Sequence, residues 1–135
     1  MRHHFINRSI AAMKTVMLSA ALVLVFTTAF ANHPPTSGSA SWYGEGHRGK
    51  LMANGKKFDP DKLTAASWFY PLGAKVRVTV KTSARAARSV VVTFTDRGPA
   101  KELVRNNRVI DLSHAAFKRL ANPDLGLVRV VVEPE

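Results

Sequence analysis

Val90–Leu103, VVVTFTDRGPAKEL, begins as a run of β-branched residues and stops abruptly at Asp96-Arg97-Gly98-Pro99. Valines and threonines suit a pleated, half-buried surface. Glycine and proline punctuate it with a turn. The expectation is a strand over Arg88 to Thr95 that delivers a carboxylate and a guanidinium, Asp96 and Arg97, to its end.

Upstream, Lys75 to Val80 alternates polar and apolar residues with period two, the pattern of a half-buried strand. Thr82 to Ala87 is small, polar and basic, so the two strands are expected to pair as a hairpin around it. Further strands are expected from Ser39 to Tyr43, Arg108 to Ile110 and Leu127 to Val132. One helix is well signalled. Ser113 is placed as its N-cap, and Ala116, Phe117 and Leu120 follow at helical spacing within His114 to Leu120. Gly126 belongs to the turn after it. Several short strands with Gly and Pro punctuation indicate a mainly β domain, a small barrel rather than an open sheet.

The N-terminus reads differently. Met13-Lys14 precedes an apolar run from Val16 to Phe30, and Ala29-Phe30-Ala31 fits a small-x-small cleavage pattern. Residues 1–31 are therefore expected to be a signal peptide, 32–37 a linker and 38–135 the domain. Cleavage after Ala31 leaves 104 residues, enough for one small core. No cysteine is present, so neither a disulfide nor a lipid-modified cysteine is expected. The product is expected to be exported, periplasmic or extracellular, and soluble without a stable membrane anchor. The leader contains Arg2, Arg8 and Lys14, which leaves 17 basic against 9 acidic residues, a formal +8. Such a surface favours polyanions. In that compartment nucleic acid is not expected, and cell-wall polymer is the better partner. Oligomeric state is left open.

Seven segments together carry a resemblance. They are Ser39-Ala40-Ser41-Trp42-Tyr43-Gly44, Ala53-Asn54-Gly55 with Phe58-Asp59, Leu63-Thr64-Ala65-Ala66, Pro71-Leu72-Gly73, Val78 with Val90-Val91-Val92, Asp96-Arg97-Gly98-Pro99, and Val109-Ile110-Asp111-Leu112-Ser113. In order and spacing the chain resembles the RlpA family across nearly all of residues 32–135. The resemblance implies a six-stranded double-psi β-barrel with one short helix, the fold shared with the barrel of expansins and with barwin-like proteins. It also implies an endolytic peptidoglycan lytic transglycosylase acting on glycan strands stripped of stem peptides, with no cofactor.

By that resemblance Asp96 is the catalytic aspartate. Lytic cleavage needs a carboxylic acid that protonates the leaving oxygen and then takes the proton of the muramyl C6 hydroxyl, without water. Ordinary glycoside hydrolysis uses a second carboxylate instead. Arg97, Gly98 and Pro99 are expected to serve the structure.

Two positions depart from the family. Lys56 stands where relatives carry glutamate after the Asn-Gly turn, and Ser67 where they carry histidine after Thr-Ala-Ala. A cation beside Asp96 would favour its charged form, the reverse of what a general acid needs. Lys56 could instead face solvent or bind a muramyl carboxylate. Asp59 matches the family pattern but also suits a turn before Pro60. Asp111 suits capping or a barrel hydrogen bond, with groove lining second. Trp42 and Tyr43, and the run Trp68-Phe69-Tyr70, could stack on sugars or fill the core. His47 and His114 lack the spacing of a zinc site, so no metal is expected. The competing reading is a catalytically degenerate, expansin-like peptidoglycan-binding module. A third and weaker one is a secreted domain with barwin-like defensive action.

Overall fold

The computed structural model describes residues 33–80 and 87–135. The expected signal peptide, and all of the Thr82–Ala87 turn except Ala87, lie outside the described residues. Six strands are present: β1 Thr36–Tyr43, β2 Thr64–Ala66, β3 Lys75–Val80, β4 Arg88–Asp96, β5 Arg108–Ser113 and β6 Val128–Pro134. Two short helices, α1 Lys101–Arg105 and α2 His114–Leu120, sit on either side of β5 in sequence.

The strands close into a barrel in the order β1-β5-β2-β4-β3-β6. β1 runs parallel to β5 and β2 parallel to β4, while the other neighbours are antiparallel. Closure removes the free sheet edges that an open sheet would expose. Period-two alternation sets the inner face. Val76, Val78 and Val80 of β3 are buried, as are Val90, Val92 and Phe94 of β4 and Val130 and Val132 of β6. Ile110, Leu112, Phe117 and Leu120 complete the core. Each such side chain contributes about 1.5–3 kcal/mol on burial.

The expected hairpin is the β3–β4 pair, in register from Lys75 opposite Thr93 to Val80 opposite Arg88. Helix α2 has the expected bounds, and Ser113 Oγ accepts from the Ala116 N–H at 3.3 Å. Other boundaries differ. β1 starts at Thr36, where Thr36 and Ser37 pair with Val132 and Val131 and so extend the strand into the stretch read as linker. β5 continues to Ser113 because its second half pairs with both β1 and β2. β2 and α1 were not expected as elements. Among the described residues no helix is long and apolar enough to cross a membrane.

Candidate active site

The strand ladders place two carboxylates in one row. Ala66 of β2 pairs with Asp96 of β4 on one side and with Asp111 of β5 on the other. Asp111 in turn pairs with Ser41 of β1. Paired residues on neighbouring strands project to the same face. Asp96, Ala66, Asp111 and Ser41 therefore share a face, with the small Ala66 separating the acids.

Asp96 is half-buried at the last position of β4. Its Oδ1 accepts from the backbone N–H of Ala53 at 2.9 Å and of Arg97 at 2.8 Å. Among the described residues, both of its side-chain hydrogen bonds use that one oxygen. The Ala53 bond ties the carboxylate to the loop between Gly49 and Phe58, and the Asn54 N–H adds a second tie to the Thr95 carbonyl at 3.1 Å. Behind it the chain turns through Gly98 and a cis Gly98–Pro99 peptide. A Cβ on Gly98 would lie 3.4 Å from the Ala66 Cβ and 3.5 Å from Asp111 Oδ2, so the turn packs closely against the acid row.

Asp111 is held more fully. Ser41 Oγ and Arg108 Nε both donate to its Oδ1, the latter at 2.9 Å, and Arg108 Nη2 forms an ion pair at 2.9 Å. Tyr43 belongs to the same region. Burial, reinforced by the charges of Asp96 and Asp111, pushes its hydroxyl well above the ordinary tyrosine range. That hydroxyl is buried and has no hydrogen-bond partner among the described residues. Its ring stacks on Phe58 at 4.3 Å and meets His47 edge-on at 5.6 Å.

The remaining candidates take distinct places. Arg97 turns away from the acid row, and its Nη1 donates to the carbonyls of Ser67 at 2.9 Å and Tyr70 at 2.7 Å. Ser67 is buried. Its Oγ donates to the Val109 carbonyl at 3.1 Å and accepts from the Phe69 N–H at 3.2 Å. Lys56 is exposed on the loop that Asp96 anchors, and it forms no ion pair with Asp96 among the described residues. Asp59 caps a turn through the Asp61 N–H at 3.0 Å and meets Arg48 at 3.2 Å. Trp42 packs against His114 and Phe117, and its indole N–H donates to Pro123 at 3.0 Å. Tyr70 enters the core, stacked on Phe94 at 5.3 Å, whereas Trp68 and Phe69 stay exposed. Sequence reasoning did not assign Ser41 or Arg108, although Ser41 lies within a segment singled out for its resemblance.

Comparison with known proteins adds an independent line. A family model described as lytic transglycolase matches residues 35–132. The endolytic peptidoglycan transglycosylase RlpA of Pseudomonas aeruginosa is 44% identical over 96 residues, which cover 71% of this chain and 26% of that protein. A probable endolytic peptidoglycan transglycosylase RlpA of Synechocystis is 38% identical over 116 residues, covering 86% of this chain and 34% of the relative. The chain thus spans about a quarter to a third of the length of these two curated relatives. Among solved structures, the Streptomyces papain inhibitor superposes with a TM-score of 0.55 at 26% identity, covering 74% of this chain and 93% of the inhibitor.

Proposed function

The chain belongs to the RlpA family of double-psi β-barrel lytic transglycolases, and from that premise we propose that it is an endolytic peptidoglycan lytic transglycosylase of the cell envelope. Its substrate is glycan strand lacking stem peptides, and its products carry anhydro-muramyl ends. The export that this location requires fits the leader read in residues 1–31.

The observation that carries the proposal is the asymmetric seating of Asp96. Two backbone N–H groups engage Oδ1. Oδ2 is therefore the oxygen available to hold a proton and deliver it to a glycosidic oxygen. The C1–O bond of the muramyl residue breaks as that oxygen takes the proton. The same Oδ2 then accepts the proton of the muramyl C6 hydroxyl, whose oxygen bonds to C1. One group serves as acid and then as base, and no water enters. Asp111 already accepts from Ser41 and Arg108, so in this reading it orders the groove floor rather than activating water.

A second reading is supported by a specific observation. Ser67 turns inward to the Val109 carbonyl and so offers no side-chain group to a substrate where relatives are expected to present histidine. The chain would then be a glycan-binding module. Digestion of stem-peptide-free strands in ¹⁸O-water tests the chemistry. A lytic enzyme yields anhydro ends without ¹⁸O, a hydrolase yields ¹⁸O-labelled reducing ends, and a binding module releases nothing.

A further inference from the structure

Thr93 and Thr95 of β4, just ahead of Asp96 in the chain, line a cleft of about 510 Å³ together with Thr64, Lys56, Lys57 and Lys62. Lys56, the departure from the family, is one of three cations in a single concavity. Among the described residues none of the three is in an ion pair, while Asp59, the one acid in the cleft, meets Arg48 at 3.2 Å.

The loop bearing the first two lysines is firmly built. The Met52 N–H donates to the Lys56 carbonyl and the Gly55 N–H to the Met52 carbonyl, both at 2.9 Å. Asn54 Oδ1 accepts from the Lys56 N–H at 3.0 Å, and Lys57 bridges to Leu51. Phe58, 3% exposed, anchors the loop's end. Thr95 is only 9% exposed, yet its hydroxyl has no partner among the described residues, and neither has that of Thr64. Those hydroxyls are closed off from solvent, so the polar contacts offered to a ligand come from the lysines. Leu72 and Met52 supply an apolar surface for the body of such a ligand.

We propose that this cleft is a carboxylate subsite which reads the free lactyl group of a muramyl residue. The proposal rests on the reading that denuded glycan occupies the groove. Removing a stem peptide hydrolyses the amide at the lactyl group and leaves a carboxylate, whereas an intact strand presents a neutral amide there. Lysine ammonium groups distinguish the two by charge. The cleft and the acid are joined through the backbone: Thr95, which lines the cleft, precedes Asp96, and the loop that carries Lys56 and Lys57 donates to Asp96 through Ala53. In this proposal a strand read in the cleft continues along the end of β4 towards Asp96.

The test uses calorimetry on the Asp96→Asn variant, whose amide oxygen can still accept from Ala53 and Arg97. The probes are soluble GlcNAc–MurNAc oligosaccharides with free lactyl carboxylates, the same oligosaccharides with lactyl carboxamides, and polyglycerol phosphate. The carboxylate form should bind about tenfold more tightly than the carboxamide, the scale of one charge-assisted hydrogen bond. Adding Lys56→Gln, Lys57→Gln and Lys62→Gln together should bring that ratio to about one and leave carboxamide affinity unchanged. Adding Lys56→Arg alone should keep the ratio, and unchanged thermal melting would show that each variant is folded. A ratio near one before the lysines are changed, or a ratio that persists after all three glutamines, overturns the subsite. So does equal binding of polyglycerol phosphate, which would make the cleft a general anion surface. Binding is read in a variant designed not to cleave. Absence of anhydro ends from the native protein would thus remove the enzyme reading while the ratio still judges the subsite. Absence of binding to both oligosaccharides would overturn the subsite together with denuded glycan as the ligand.

Discussion

Asp96 and Tyr43 illustrate what single residues contribute. Asp96 is legible in the sequence because the strand, the acid and the Gly-Pro turn are contiguous. The neighbour that crowds it is not legible. Tyr43 comes from β1, and its buried, unpartnered hydroxyl follows from three-dimensional packing against Phe58 and the acid row. Tyr43→Phe should raise stability at neutral pH by about 1 kcal/mol, measured by denaturant unfolding, because an unsatisfied buried hydroxyl is removed. It should also change the alkaline limb. Below about pH 10 the hydroxyl is neutral in both the folded and the unfolded chain. Above it the unfolded chain releases the proton while the folded chain retains it, so native stability falls as pH rises. Melting temperatures between about pH 9 and pH 11 should fall less steeply in Tyr43→Phe than in the native protein. Ser67 shows the same limit of sequence reading. Its inward turn depends on the Val109 carbonyl, 42 residues away, and no local pattern encodes that bond.

At the scale of elements, legibility follows locality. Helix α2 was readable because its cap and its apolar spacing lie within eight consecutive residues, Ser113 to Leu120. Strand β2 was not readable as a strand, since three residues hold too little periodicity and its place is set by β4 and β5. Helix α1 has no side-chain cap, so it lacked a start signal. Two variants probe the connections between elements. Ser113→Ala removes the cap to Ala116, the 2.5 Å bond to the Lys62 carbonyl and the 3.4 Å bond accepted from the Thr64 N–H, and should cost about 1–2 kcal/mol in denaturant unfolding. Arg97→Ala frees the Ser67 and Tyr70 carbonyls together. It should destabilise by about 2 kcal/mol, with faster amide exchange confined at first to residues 67–70.

At the scale of the whole molecule, one closed barrel carries both the acid row that includes the end of β4 and the lysine cleft lined by Thr93 and Thr95 of the same strand. The barrel itself came from the register of seven family segments, which no single strand reveals. The lysine cleft was not legible, because Leu72, Thr93 and Thr95, which line it with Lys56, Lys57 and Lys62, come from distant parts of the chain. A basic surface of this kind makes glycan binding sensitive to salt. Raising ionic strength from about 0.01 M to about 0.1 M shortens the screening length from about 30 Å to about 10 Å. Affinity for carboxylated strands measured by co-sedimentation should drop across that range, and affinity for carboxamide strands should hold nearly constant.

The most direct test of the central claim is digestion of stem-peptide-free glycan strands by the native protein and by Asp96→Asn, with products read by mass spectrometry. A single-aspartate lytic enzyme predicts anhydro-muramyl ends from the native protein and a fall of at least about 10²-fold in the variant. Equal anhydro ends from both proteins, or intact strands after incubation with the native protein, would contradict it.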